Sequence, residues 1–197
     1  MRSLQAMARA PFLKEFFLSD RPVGAVAPAS SGLRKCVVEA AGVGAARSIV
    51  ELGPGTGTFT QEILHSRPSG AVYLGVEVNG TLAQTLQHRF PDLHFVHSGA
   101  EAFDFAAYYA EYGPIDAVIS GLPWTSFDAE LQCRILDNIL PHLAPGGHFV
   151  TYSYYGFHRL ANGRRFRKAL SERMRFVATS PVVWANLPPA FVYVATR

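Results

Sequence analysis

The chain has 197 residues, 49% of them hydrophobic and 17% charged, enough for one domain with a proper core and the wrong balance for intrinsic disorder. Its two cysteines, Cys36 and Cys133, sit in apolar helical patterns, which excludes a disulfide scaffold, and no apolar run reaches the roughly 20 residues of a membrane span. The formal charge of +3 is unevenly spread: residues 1–35 carry +4, residues 36–149 carry −8 and residues 150–197 carry +7.

In chain order, Leu4, Met7 and Ala8 share one side of a helical projection, with Arg2, Gln5 and Arg9 opposite. After Pro11, Phe12, Leu13, Phe16 and Phe17 make an apolar face beside Lys14. This segment lacks the continuous apolar stretch and cleavage site of a secretory signal, so a soluble, cytoplasmic protein is expected. Residues 47–52 form a short apolar run ending in Gly-Pro-Gly, the pattern of a buried parallel strand. Helical character follows over 58–66, a strand over 71–77, a helix over 81–89 and a strand over 93–97. Residues 108–112 close a short helix, 115–119 form a fourth strand, and 128–143 carry Leu131, Ile135, Leu136, Ile139 and Leu140 at helical spacing. Ala144-Pro145-Gly146-Gly147 reads as a turn into a fifth strand, 148–155, and a helix is expected over 164–174. Only residues 186–189 separate the apolar segments 175–185 and 190–196, too few for a helical crossover, so these two should pair antiparallel. The pattern predicts an α/β fold with a doubly wound, seven-stranded sheet and an antiparallel terminal hairpin. Ligands of such sheets bind beyond the carboxyl ends of the strands.

The strongest motif is Glu51-Leu52-Gly53-Pro54-Gly55-Thr56-Gly57, a glycine-rich turn between strand and helix that lets backbone approach a ligand closely. Glu77, ending the next strand, can accept both hydroxyls of a ribose. Dinucleotides and S-adenosylmethionine are both held by such a layout. The dinucleotide fingerprint wants glycine at position 58, where Thr58 stands. Glu51 weighs further against a pyrophosphate, which it would repel, and for the ammonium of a methionine moiety, which it would attract.

The arrangement resembles class I S-adenosylmethionine-dependent methyltransferases over about residues 30–197, with residues 1–29 as an N-terminal amphipathic helix and lid segment. The resemblance implies a Rossmann-like methyltransferase sheet in which Gly53, Gly55 and Gly57 line the methionine side, Glu51 lies near its amino group and Glu77 holds the ribose. It also implies that the loop His97-Ser98-Gly99-Ala100-Glu101 touches adenine. That family often has an acid directly before the alanine, where this chain has Gly99. Either Glu101 replaces it, or backbone groups of Gly99 and Ala100 suffice.

The loop Ser120-Gly121-Leu122-Pro123-Trp124 bears on the methyl acceptor. Turn carbonyls at 120–122 can accept amine N–H groups, and Trp124 either stacks on the acceptor or fills core beside the sheet. Three stretches together are similar to bacterial phospholipid N-methyltransferases: this turn, the start Gly24-Ala25-Val26-Ala27-Pro28-Ala29-Ser30-Ser31, and the ending Asn186-Leu187-Pro188-Pro189-Ala190-Phe191-Val192-Tyr193. That resemblance implies stepwise methylation of phosphatidylethanolamine toward phosphatidylcholine, with ornithine lipids as the related acceptors. It makes the N-terminal helix, through Arg9, Phe12, Lys14, Phe16 and Phe17, a device for docking on an anionic membrane at the inner face of the cytoplasmic membrane. Packing of that helix on its own domain is the other reading.

A lipid amine has a free pKa of about 10 and must lose a proton before it attacks a methyl group. The methylated ammonium product is then stabilised by aromatic faces. Tyr152, Tyr154, Tyr155, Trp124 and Tyr193 are the candidates, Tyr154 first, with Ser120 and Trp124 beside it in the catalytic set and Tyr193 on the substrate side. His158 is a candidate proton acceptor or phosphate partner. The histidines show no metal spacing, and no obligate protein partner is implied. The rivals are an rRNA adenine dimethylase-like enzyme, a small-molecule amine methylase and a cofactor-binding module without catalysis. Ser120 in place of Asn, and the few residues after Tyr193, weigh against nucleic acid as the acceptor.

Overall fold

The computed structural model describes residues 29–197. The expected N-terminal helix, with Arg9, Phe12, Lys14, Phe16 and Phe17, lies outside the described residues, as do positions 24–28 of the first motif.

The first helix, α1 (Ser31–Ala40), is capped by Ser30, whose hydroxyl accepts from Leu33 N–H. Alternation then follows: β1 (Ser48–Leu52), α2 (Thr58–Ser66), β2 (Val72–Glu77), α3 (Gly80–Arg89), β3 (His94–His97), α4 (Phe105–Tyr112), β4 (Ile115–Ser120), α5 (Ala129–Ile139), β5 (Leu143–Tyr154), α6 (Ala161–Ser171), β6 (Phe176–Thr179) and β7 (Ala190–Thr196). Asn79, Asp104 and Asp128 cap α3, α4 and α5 with side-chain oxygens on backbone N–H groups. The strands form one sheet in the order β3-β2-β1-β4-β5-β7-β6, and β7 runs antiparallel to both of its neighbours. This is the predicted doubly wound sheet with a terminal hairpin.

Every residue of β1 is buried, because helices cover the sheet on both faces. One core, built around Leu52, Phe105, Leu136, Phe149 and Phe166, lies under α4, α5 and α6. The other, around Leu33, Ile49, Ile63, Leu86 and Phe95, lies under α1, α2 and α3. Cys36 and Cys133 pack against opposite cores and are free thiols.

Three boundaries differ from expectation. Residues 144–147 do not precede β5 but bulge out of it: Ile115 pairs with Leu143 and Ala117 with His148, so four residues stand opposite Asp116 alone, three more than a regular ladder holds. Asp116 meanwhile accepts the N–H groups of Arg47 and Ser48, which ties the start of β1 to β4. The strand expected over 175–185 ends at Thr179, since Pro181 has no N–H to continue the ladder; a lone bridge from Val183 to Ala190 resumes the pairing. The last helix begins at Ala161, one turn earlier than its apolar pattern indicates.

Because β7 starts where β5 ends, with Tyr154 opposite Ala190, the 186–189 turn is delivered to the carboxyl rim of the sheet. Asn186 is buried there: its Oδ1 accepts Ser30 N–H at 2.9 Å and its Nδ2 donates to the Pro188 carbonyl at 2.7 Å. The first and last of the three separated motifs thus meet through one amide. Asn186→Ala leaves the Ser30 N–H and Pro188 carbonyl without that partner and should lower stability by about 1–3 kcal/mol, read from the urea midpoint. An unchanged midpoint would show that the amide joins nothing of energetic weight.

Candidate active site

The rim is built where the parallel ladder runs out. Gly53 N–H still bonds Val76, Gly121 N–H bonds Leu52, and Ser98 N–H bonds Glu77, so three loops leave the sheet side by side. Gly53, Gly55 and Gly57 all have positive φ, left-handed backbone that a side chain at these alternate positions of the turn would strain. A Cβ on Gly121 would lie 2.7 Å from the Gly53 carbonyl oxygen. The loop after β4 is therefore pressed directly on the glycine loop. Around Gly55 there is open space.

Two buried carboxylates stand beneath these loops. Glu77 is fully buried, with one oxygen accepting Gly55 N–H and the other Asn79 N–H, both at 2.9 Å. It thus clamps the glycine loop to the turn after β2, a role the sequence reading did not assign; the second lone pairs of its oxygens remain for a ribose. Glu51, 1% exposed, concentrates its bonds on one oxygen: Oε2 accepts from Tyr73 Oη at 2.5 Å and Thr60 Oγ1 at 2.8 Å. Its Oε1 is buried without a partner. Burial pushes the Glu51 carboxyl up to about 7 against the pull of those hydroxyls, and the nearby Glu77 adds to the rise. An ammonium placed at Oε1 would supply the missing partner. Open space at the glycine loop, an orphaned carboxylate oxygen and a second carboxylate across the turn fit the amino acid and ribose portions of S-adenosylmethionine.

At the loop after β3, Ala100 is buried and its carbonyl accepts from Asn138 of α5, which also binds the Phe103 carbonyl. The Glu101 carboxylate folds back over Gly99, within 2.7 Å of where a Cβ of residue 99 would stand. Glu101 thus stands beside Gly99, the position directly before the alanine.

The acceptor side needs correction. Trp124 does not face the rim: it is 3% exposed, stacked on Phe166 with ring centroids 4.4 Å apart, and it meets Phe127 and Phe149 edge-on. Its indole N–H donates to Ser120 Oγ at 3.0 Å, and that hydroxyl also accepts Leu122 N–H. The Ser120 side chain therefore shapes the turn, and its carbonyl accepts from Thr151 Oγ1. Buried Gln132, which its helix gave no reason to single out, donates to the carbonyls of Trp124 and Asn162 and ties this turn to α6. Tyr193 is also core, 3% exposed between Phe166 and Phe191, not a substrate contact.

Tyr152 and Tyr154 do lead to the rim. Phe59 at the start of α2, Tyr152, Tyr154 and Phe157 follow one another with centroid separations of 5.6, 5.6 and 6.0 Å. Burial, with Tyr152 beside it, pushes the Tyr154 hydroxyl well above its ordinary value. Tyr154 is accordingly a neutral ring and hydrogen-bonding group, and phenolate chemistry there is disfavoured. His158 rests edge-on against Phe191 at 5.0 Å, and burial together with the cationic Arg159 and Arg167 lowers its pKa. A neutral imidazole suits proton acceptance better than phosphate pairing.

Comparison with known proteins agrees with this geometry. No protein-family model matches the chain. It is similar to the N-methyltransferase NodS of Bradyrhizobium japonicum, solved with S-adenosyl-L-homocysteine: TM-score 0.67, 15% identity, 95% of this chain and 97% of that one. The fold is that of the class I methyltransferases. In sequence it is 29% identical over 187 residues to the ornithine lipid N-methyltransferase of Singulisphaera acidiphila, covering 92% of each chain. It is 31% identical over 126 residues to ribosomal RNA small subunit methyltransferase A of Prosthecochloris aestuarii, covering 64% of this chain and 42% of that relative. The chain thus spans less than half the length of the RNA-modifying relative.

The raised Glu51 carboxyl has a consequence for stability. The folded value exceeds the ordinary 4.5, so the favourable contribution is fully present below about 4.5 and is lost as pH rises to about 7. Without ligand, that loss should amount to about 3 kcal/mol. Glu51→Gln should flatten this part of the stability–pH curve in urea titrations; parallel curves for the two proteins would show that Glu51 does not titrate there.

Proposed function

We propose that the chain is an S-adenosylmethionine-dependent N-methyltransferase acting on the head-group amine of a membrane lipid. The observation that carries this reading is the gathering of Ser30, the 120–123 turn and the 186–189 turn at the rim that holds the glycine loop. Those are the stretches that resemble phospholipid N-methyltransferases, and similarity to an ornithine lipid enzyme along nearly the whole chain supports the same chemical class. Both lipids present a primary amine beside an anionic or polar head group. Phosphatidylethanolamine is the acceptor the motifs favour; ornithine lipid is the acceptor the relative favours.

S-adenosylmethionine supplies an electrophilic methyl group on a sulfonium. The protein's part is positional. Glu51 would hold the amino group of the cofactor and Glu77 its ribose, and the glycine loop would let backbone approach it. Carbonyls of the 120–122 turn retain acceptor capacity for amine N–H groups, since each has two lone pairs and the Ser120 oxygen takes one from Thr151. A partly desolvated amine loses its proton more readily, and neutral His158 or water is the acceptor. The ring of Tyr154 then faces a methylated ammonium, which it stabilises more as methyl groups accumulate.

The test is transfer of labelled methyl groups from S-adenosylmethionine to detergent-solubilised phosphatidylethanolamine, ornithine lipid and rRNA in parallel. Label in either lipid is expected, and chromatography of the products counts the transfers. Label confined to RNA would overturn the lipid reading. Tyr154→Phe should retain transfer within about tenfold, as befits a ring rather than a base; a loss of about a thousandfold would restore the hydroxyl to a catalytic role.

A further inference from the structure

Among the described residues, five of the nine exposed large apolar side chains belong to the two connections that follow β5 and precede β7; Val78, Tyr109, Tyr112 and Phe176 lie elsewhere. Tyr155 and Phe157 are 45% exposed, Leu160 52%, Trp184 68% and Leu187 75%. The two connections meet along one edge: the Tyr155 and Trp184 rings lie 5.5 Å apart, Tyr155 N–H bonds the Pro189 carbonyl, two residues from Leu187, and Leu160 N–H bonds the Phe157 carbonyl. Leu187 projects from a turn whose buried member is Asn186, and Trp184 is the exposed counterpart of buried Trp124.

Cations surround this edge. The Arg159 guanidinium lies 5.7 Å from the Tyr155 ring, and Arg164, Arg165, Arg167 and Lys168 are exposed along α6, which starts directly after Leu160. Glu172 is the sole acid from residue 150 to residue 197, and it pairs with Lys168. Residues 1–28 carry four basic and two acidic side chains, so that segment cannot neutralise the edge. A second copy would set one basic rim against another. An anionic surface with an apolar interior answers both features at once, and Trp and Tyr are suited to its head-group level.

We infer that the edge formed by Tyr155, Phe157, Leu160, Trp184 and Leu187 docks on an anionic lipid bilayer, with Arg159 and the α6 cations against the lipid phosphates. The choice of occupant rests on the lipid-amine reading above. Docking there sets the bilayer beside the carboxyl ends of β4 and β5, so a head group reaches the 120–123 turn without leaving the membrane.

The two tryptophans make the test direct. With the full chain, Trp184 emission should shift to the blue on addition of vesicles containing phosphatidylglycerol, and brominated acyl chains should quench it; pure phosphatidylcholine should act far more weakly. Trp184→Phe should remove the response, because Trp124 is already buried. Trp184→Ser combined with Leu160→Ser should weaken cosedimentation with those vesicles by at least about tenfold. Affinity for S-adenosyl-L-homocysteine by calorimetry should stay unchanged, which shows that the variant is folded. Emission already blue-shifted without lipid and unmoved by it would mean that residues 1–28 or a second copy cover the edge, and would overturn the inference. A Trp184 response to rRNA but not to vesicles would also overturn it, as would full vesicle binding by the double variant. Transfer to detergent-solubilised lipid without any vesicle response sinks the docking surface alone; a vesicle response without transfer to any lipid sinks the proposed reaction alone.

Discussion

Two carboxylates buried on neighbouring strands set the centre of this molecule. Glu77 has both oxygens on backbone N–H groups and so fixes the glycine loop against the turn after β2. Glu51 is held on one oxygen only, by Tyr73 and Thr60, and its other oxygen has no partner in a fully buried position. Leaving a buried polar atom unpaired is costly, and its mate Glu77 makes the charge dearer still. The protein tolerates that cost where a positively charged group can later relieve it. The loops of the rim are arranged around this unfinished electrostatic centre.

The sheet was legible because a parallel strand covered on both faces is a continuous apolar run, and each such run here ends in glycine, asparagine or serine. The glycine loop was equally plain. What misled was punctuation and distant packing. Pro145-Gly146-Gly147 has the chemistry of a turn, yet Arg197 N–H bonds Gly147 and Gly146 N–H bonds the Arg197 carbonyl, so β7's end holds the stretch as a bulge. Trp124 follows a strand-end turn, as an acceptor contact would, and only the far-off Phe166 and Phe149 reveal it as core. Gln132 and Asn138 read as polar helix positions; their carbonyl partners in the loops are supplied by tertiary structure. Tyr154 ends β5 opposite Ala190, and the burial that raises its hydroxyl pKa comes from packing that the sequence does not display, with Tyr152 and Phe157 against its ring.

The rim divides into a part that the fold dictates and a part that it leaves open. NodS shares the fold at 15% identity, so the sheet persists through nearly complete sequence turnover. The 120–124 and 186–189 turns are tied to that frame by Gly121 N–H on Leu52, Thr151 on Ser120, Gln132 on Trp124, Tyr155 N–H on Pro189 and Asn186 on Ser30. Loops at the end of a sheet can change while the domain beneath them does not, so one sheet can serve many methyl acceptors.

The antiparallel course of β7 has a practical side. Its start is at the rim, so its end is carried to the opposite edge of the sheet, where Thr196 pairs with His148 and Arg197 reaches the carbonyls of Pro141 and Leu143. Residue 197 therefore emerges on the face away from the glycine loop and from the aromatic edge. A tether, dye or solid support attached there would leave both surfaces presented to solution, giving the molecule a natural handle for immobilised and oriented measurements.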